Sequence, residues 1–160
     1  MDATLALITS QIRTNFHGKA WQGPTLWGSL RGVDHALAAK PPAPGRKTIW
    51  DQVLHAAYWK YAVVRRLTGA ERGSFPRTRA NWPRPSDGTP AKAWEADKAL
   101  LKAMQDQLLA AVEGLDQPDL TAAVHGGRGG MTYLGLLTGI TAHDVYHTGQ
   151  INLIKAIHGQ

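Results

Sequence analysis

The sequence contains no cysteine, and this absence excludes several kinds of chemistry. Disulfide bonds, iron–sulfur clusters and thiolate zinc sites all need cysteine sulfur, so the chain can form none of them. Any reaction that uses a thiol must therefore take the thiol from a cofactor or a substrate. The absence is also compatible with a reducing compartment.

Long apolar runs are missing as well. A membrane-spanning helix needs about 18 or more consecutive apolar residues, and a secretory signal has a basic segment before its apolar stretch. The N-terminus has only the short apolar stretch Leu5–Ile8, preceded by no basic residue. We therefore expect a cytoplasmic protein that has no membrane partner.

The composition of the 160 residues is that of an ordinary globular protein, with 43% hydrophobic and 19% charged residues. This length predicts a single domain over residues 1–160. The formal net charge of +6 is compatible with an acidic ligand, but it is also a common state for solubility. The six tryptophans are many for this length, and we expect them to anchor the interior.

Four long segments show the apolar periodicity of amphipathic helices, at about residues 3–16, 48–68, 91–112 and 131–157. Short helical turns are expected at about 26–30 and 34–39, inside a connection rich in glycine and proline. No segment alternates with the period of a strand. The pattern predicts an all-α protein, an up-and-down-type four-helix bundle with long loops and short extra helical turns.

The last predicted helix has an inward-facing seam that is aliphatic at both ends and polar in the middle. Its members are spaced by alternating steps of four and three: Leu136, Ile140, His143, His147, Gln150, Ile154 and Ile157. Polar groups at core positions cost about 1–3 kcal/mol each when they are unpaired. The sequence therefore predicts a partner for the polar part of this seam.

His143 and His147 lie one helical turn apart on the same face, a spacing that presents two imidazoles to one metal ion. A third ligand must come from another element, and His55, midway along the second predicted helix, is the best candidate. Three histidines that leave coordination positions open are typical of a catalytic site. The competing interpretation is that these histidines are hydrogen-bonded core residues.

The remaining histidines are weaker candidates, because histidine is often a solvated surface residue. They are His17, His35, His125 and His158. Of these, His17 could still reach a pocket through the loop that follows it.

The segment from His143 to His147 also resembles the metalloprotease H-E-x-x-H pattern, with Asp144 in the glutamate position. The shorter carboxylate and the lack of a third ligand at the metzincin spacing disfavour a peptidase. Asp144 is expected on the surface or beside the metal ligands.

A basic loop is predicted at about residues 70–90, and a loop of this length is often functional. It contains Arg72, Arg77, Arg79 and Arg84 beside Trp82. Basic residues interleaved with an aromatic side chain could bind nucleic acid, but a solvated surface is the commoner role. We therefore do not expect a nucleic-acid partner.

Several segments resemble the DinB-like (DinB/YfiT) family of metal-dependent proteins, and the likeness extends over nearly the whole chain. His143–Ile151 is similar to the family's C-terminal His-x-x-x-His-x-Gly-Gln signature, and Ile49–His55 with Trp59 is similar to its second-helix histidine segment. Trp21-x-Gly23-Pro24 and Asn81-Trp82-Pro83 resemble its loops.

The resemblance implies a four-helix bundle in which His55, His143 and His147 hold one divalent metal ion, nickel or zinc. It implies a homodimer and, for some members, an S-transferase or isomerase that uses a low-molecular-weight thiol, such as bacillithiol or mycothiol, on an electrophilic substrate. Gln150 lies on the same helix face and is a candidate hydrogen-bond donor to a metal-bound group. The alternative is a non-catalytic metal-binding protein associated with stress or damage.

Overall fold

The computed structural model describes residues 3–70, 73–115, 119–124 and 129–160. The helices are α1 (Ala3–Phe16), α2 (Leu26–Ser29), α3 (His35–Ala39), α4 (Ile49–Thr68), α5 (Pro90–Glu113) and α6 (Tyr133–Ile157). Over these described ranges there are two isolated β-bridges and no strand. The all-α prediction is confirmed, and each predicted helix or turn matches an observed helix closely.

Helix α4 begins and ends at well-defined caps. The Thr48 hydroxyl accepts a hydrogen bond from the Asp51 N–H, and the Asp51 carboxylate accepts one from the Thr48 N–H. Gly69 closes the helix in the left-handed conformation, with φ of 65°. These caps fix where the helix starts and ends, and hence the position of His55, about two turns from the first cap.

The long helices pack so that α4 contacts α5 and α6, and α1 contacts the same two helices. In this arrangement α1 lies diagonally from α4, and α5 lies diagonally from α6. The connection from α1 to α4 joins one diagonal pair and contains α2 and α3. Helix α2 packs on α6 and α1, and helix α3 packs on α4 and α5. The up-and-down order of the helices stays a prediction.

Tryptophan burial agrees only in part with the prediction. Trp50 and Trp94 are buried and meet edge to face, with ring centroids 5.2 Å apart. Trp21 is fully exposed, in the irregular segment before α2, so the expectation of an interior role is wrong there.

In the part of the chain that the structure describes, no helix combines the length and apolarity needed to cross a membrane.

The basic loop between α4 and α5 is attached to the core by one of its arginines. Arg77 Nε lies 2.7 Å from Asp97 Oδ1, and the fully buried Asp97 also accepts a hydrogen bond from Trp50 Nε1. Arg77 is therefore a structural anchor, which corrects its prediction as a solvated residue. Arg79 and Arg84 are exposed as expected, and Arg72 lies outside the described residues.

Candidate metal centre

The three predicted metal ligands converge at the contact between α4 and α6. His143 Nε2 lies 3.2 Å from His55 Nε2 and 3.0 Å from His147 Nε2. One nitrogen from each of the three side chains falls within 4.8 Å of the other two. The expectation that His55 is inside is also met, since it is 8% exposed.

Hydrogen bonds on the far side of two rings determine which nitrogen is available. His55 Nδ1 donates to the carbonyl oxygen of Asn81, at 2.5 Å. His147 Nδ1 donates to Gln52 Oε1, also at 2.5 Å. Because each Nδ1 carries the proton, the Nε2 atoms of neutral His55 and His147 have free lone pairs.

These lone pairs fit a bound cation. Two imidazole nitrogens held at about 2.1 Å from one ion are about 3.0–3.4 Å apart, for angles between octahedral and tetrahedral. The separations of 3.0 and 3.2 Å fall in that range. His143 Nε2 can carry at most one proton, so without a cation it can donate a hydrogen bond to only one of its two neighbours, and its close contact with the other is not a hydrogen bond. His143 Nδ1 is itself buried and has no hydrogen-bond partner in the described residues.

The surroundings keep the imidazoles neutral. Burial, together with the smaller effects of the neighbouring histidines and Lys60, lowers the pKa of His143 to about 4 and that of His147 to about 3. Burial also lowers the pKa of His55, against the opposing effect of its hydrogen bond to Asn81. Neutral imidazole is the form that binds metal ions, so the three histidines are in the protonation state that metal binding requires near pH 7.

A buried ion pair lies beside the histidines. Lys60 Nζ is 2.5 Å from Asp144 Oδ2, and burial lowers the pKa of Lys60 and raises that of Asp144. The surface position considered for Asp144 is therefore wrong, because this residue is 1% exposed. Its carboxylate pairs with Lys60, so it does not serve as the base that a peptidase of the H-E-x-x-H type needs.

The loop before α5 forms one wall of the site. Trp82 stacks on His55 with ring centroids 3.9 Å apart and planes at 14°. Asn81 has a positive φ of 66°, accepts from His55 through its carbonyl, and accepts from Trp59 Nε1 through its side chain. Asparagine tolerates this backbone conformation better than most residues, so the loop sequence suits the contact.

An open cleft of about 580 Å³ is lined by all three histidines. Trp82 and the segment that precedes α4 contribute to its lining, and α6 contributes Tyr146 and Leu153. A cleft of this size can hold a small molecule. The histidine nitrogens are therefore accessible to a ligand and are not sealed in the core.

Gln150 also lines the cleft and belongs to a chain of side-chain hydrogen bonds. Gln52 accepts from His147 and donates to Gln150 Oε1 at 3.0 Å, and Gln150 Nε2 donates to the Tyr146 hydroxyl at 2.6 Å. The amide that was expected to face a metal-bound group thus donates to Tyr146. Gln52 was not predicted, although its position three residues before His55 places both on one helix face.

The remaining described histidines lie away from this cluster. His17 lines two other cavities, between α1, α2 and α5, and His35 is the first residue of α3. His158 caps the end of α6. His125 falls outside the described residues.

Together these features define a helical protein with a three-histidine candidate metal site in an open cleft. A model of the DinB superfamily matches residues 21–151, and the chain therefore belongs to the DinB superfamily. Neither the curated proteins nor the solved structures returned a match. The family and the histidine cluster are both compatible with metal binding.

Proposed function

We propose that this protein is a metal-dependent enzyme that activates a low-molecular-weight thiol and transfers its sulfur to an electrophilic substrate. The observation that carries the proposal is the convergence of three neutral imidazole nitrogens in an open cleft. A chain without cysteine has no thiol of its own to use there. Low-molecular-weight thiols are kept reduced in the cytoplasm, which is where we expect this activity.

His55, His143 and His147 would hold one divalent ion, nickel or zinc. Such an ion supplies Lewis acidity, which lowers the pKa of a thiol that enters the cleft. The thiol loses its S–H proton to solvent, its sulfur forms a bond to the electrophilic carbon, and the leaving group departs with the electron pair of the broken bond. An isomerase would differ in that the thiol is released again after the substrate has rearranged.

The other polar residues position the ligands and the substrate. Asn81 and Gln52 hold the rings of His55 and His147 with their Nε2 atoms towards the common point. Gln150 donates to the Tyr146 hydroxyl, which leaves the hydroxyl proton free to bond a molecule in the cleft. Gln150 is thus proposed to act through Tyr146 and to help hold a bound substrate.

The first experiment is elemental analysis of protein purified without an affinity tag. We expect about one divalent ion per chain, lost in the His55→Ala, His143→Ala and His147→Ala variants and kept in His35→Ala. Cobalt-substituted protein should then develop a sulfur-to-cobalt charge-transfer band when a thiol is added. A wild-type protein that binds no divalent ion after reconstitution would rule out the proposal.

A second candidate function is non-catalytic metal binding in a stress- or damage-associated protein. The observation that favours it is the close approach of the Nε2 atoms, which can share at most one hydrogen bond through His143 Nε2 and which a cation among them would stabilise together. Under this proposal the ion mainly stabilises the fold. A metal-loaded protein that shows no charge-transfer band with any thiol would favour this function over the enzyme.

We also propose a homodimer that forms through the outer face of α6. This helix is apolar on more than its buried side, with exposed side chains at Leu134 and Val145, which do not line the cleft. A helix that is apolar all round is usually covered. Light scattering should give a dimer for the wild type and for Leu7→Glu, and a monomer for Val145→Glu. A wild-type monomer would contradict this proposal.

A further inference from the structure

The charged side chains that line the metal cleft carry one sign only. They are Arg46 and Lys47, and no described residue in the lining is acidic. Both cations are exposed. Within the described ranges the Arg46 guanidinium has no ion pair, and Lys47 meets Asp51 only at 3.9 Å, the outer limit for an ion pair. Both charges are therefore available to a ligand.

Lys47 is held beside the histidines by stacked rings. Its ammonium lies 4.6 Å from the centroid of the Trp82 ring, and Trp82 in turn stacks on His55 at 3.9 Å. A cation over an indole face is attracted by the ring's quadrupole, which favours this position. The charge therefore lies at the exposed rim of the cleft, next to the indole ring that stacks on His55.

The histidine site provides no negative charge of its own. Three neutral imidazoles leave the charge of a divalent ion uncompensated, and Asp144, the nearest acid in the sequence, is already paired with Lys60. Part of the cleft lining is apolar, formed by Leu153, Ile154 and Ile157 on α6. A complementary ligand would have a metal-binding end, an apolar middle and an anionic end.

This inference rests on the proposed function and specifies its substrate. We propose that the thiol carries an anionic oxygen group, a carboxylate or a phosphate, at the end remote from sulfur, and that Arg46 and Lys47 bind this group. Arginine and lysine form charge-assisted hydrogen bonds with either oxyanion. Arg46 and Lys47 are thus specificity-determining residues that act at the rim and do not take part in metal binding.

The test compares linear thiols that share one six-carbon chain and differ at the far end. The probes are mercaptohexanoate, mercaptohexyl phosphate and mercaptohexanol, titrated into cobalt-substituted protein and followed by the charge-transfer band. Because both cations are exposed, we expect a moderate preference for the anionic probes, about three- to tenfold at low ionic strength. The preference should weaken as salt is added. The stronger of the two anionic probes identifies the group.

The variant Arg46→Met with Lys47→Met removes both charges and keeps apolar stems against the cleft. It should bind mercaptohexanol as the wild type does and lose the preference for the anions. The matched control, Arg31→Met with Lys92→Met, removes one exposed arginine and one exposed lysine that do not line the cleft. Both double variants should contain as much metal as the wild type.

Equal affinity of the wild type for the alcohol and the anions would overturn this inference while leaving thiol binding in place. So would a preference that survives in the Arg46→Met, Lys47→Met variant. A metal-loaded protein that binds none of the three thiols would instead overturn the proposed enzyme, and this inference with it.

Discussion

Lys60 Nζ lies 2.5 Å from Asp144 Oδ2 in the interior, where the two side chains are 0% and 2% exposed. The pair joins α4 to α6, and Asp144 directly follows His143 in the helical turn that leads to His147. Removing one member of such a pair leaves a buried charge without a partner, which is far more costly than replacing both by apolar groups. The pair therefore makes packing of α4 on α6 dependent on both side chains.

We predict that Lys60→Met lowers the free energy of unfolding of the metal-free protein by about 3–5 kcal/mol. The double variant Lys60→Met, Asp144→Leu should recover most of this loss. Urea denaturation of the two variants and the wild type measures the effect. Equal stability of Lys60→Met and the wild type would show that the ion pair does not matter for the fold.

Loss of Gln52 should weaken metal binding without disturbing the fold. Its Oε1 accepts from His147 Nδ1 and so fixes the ring with Nε2 towards the site. We expect Gln52→Ala to lower metal affinity about 10- to 100-fold, as is usual for residues that orient metal-binding histidines. Competition with a chromogenic chelator measures the affinity.

The exposed Gln107 on α5 provides the control for this experiment. Gln107→Ala should have the wild-type metal affinity. If Gln52→Ala binds metal as tightly as Gln107→Ala does, the hydrogen bond to His147 has no role in metal binding.

The backbone conformation of Asn81 should matter for the position of His55. Its φ of 66° lets its carbonyl accept from His55 Nδ1, and β-branched residues avoid this conformation. We predict that Asn81→Val weakens metal binding. Asn81→Gly should weaken it less, because glycine adopts the same backbone conformation and only the side-chain hydrogen bond to Trp59 is lost. Isothermal titration of both variants tests this order, and the reverse order would contradict it.

Metal should stabilise the native protein. A ligand that binds only the folded state at about 100 times its dissociation constant adds about 2.7 kcal/mol. For a chain of this size that corresponds to a rise in Tm of about 5–10 °C. Differential scanning calorimetry with and without a chelator measures it, and the His143→Ala variant should show no shift. An unchanged Tm in metal-loaded wild type would count against the non-catalytic function.

The stability of the metal-free protein should fall as the pH drops from 7 to 5. The pKa values of His143 and His147 are lowered from 6.5 to about 4 and about 3, so in this range the unfolded chain takes up protons that the folded chain does not. The free energy of unfolding therefore rises with pH across the window.

Urea titrations of the metal-free protein at pH 5, 6 and 7 measure this slope. The variant His147→Gln removes one of the two groups, so its stability should depend less steeply on pH. A slope in His147→Gln equal to that of the wild type would contradict the assignment.

The helices and two of the ligands could be predicted because they depend on local sequence. The apolar periods identified all four long helices, and the four-residue spacing placed His143 and His147 on one face of α6. His55 could only be ranked as the best of several candidates from spacing, and the family resemblance supported that choice. Asp144 could not be located, because its burial depends on Lys60 in another helix.

The sequence by itself determined the all-α class, the extent of each helix and the polar interruption in the seam of α6, because these follow from patterns within one segment. Only the tertiary structure decided which groups meet at the site. His55 lies 88 residues from His143, Gln52 lies 95 residues from His147, and the carbonyl that orients His55 comes from 26 residues further along the chain. Every residue has a backbone carbonyl, so the sequence does not indicate which one accepts the hydrogen bond from His55. Arg46 and Lys47 line the cleft because the segment before α4 lies beside α6. These segments are far apart in the sequence, so only the packed core brings them together.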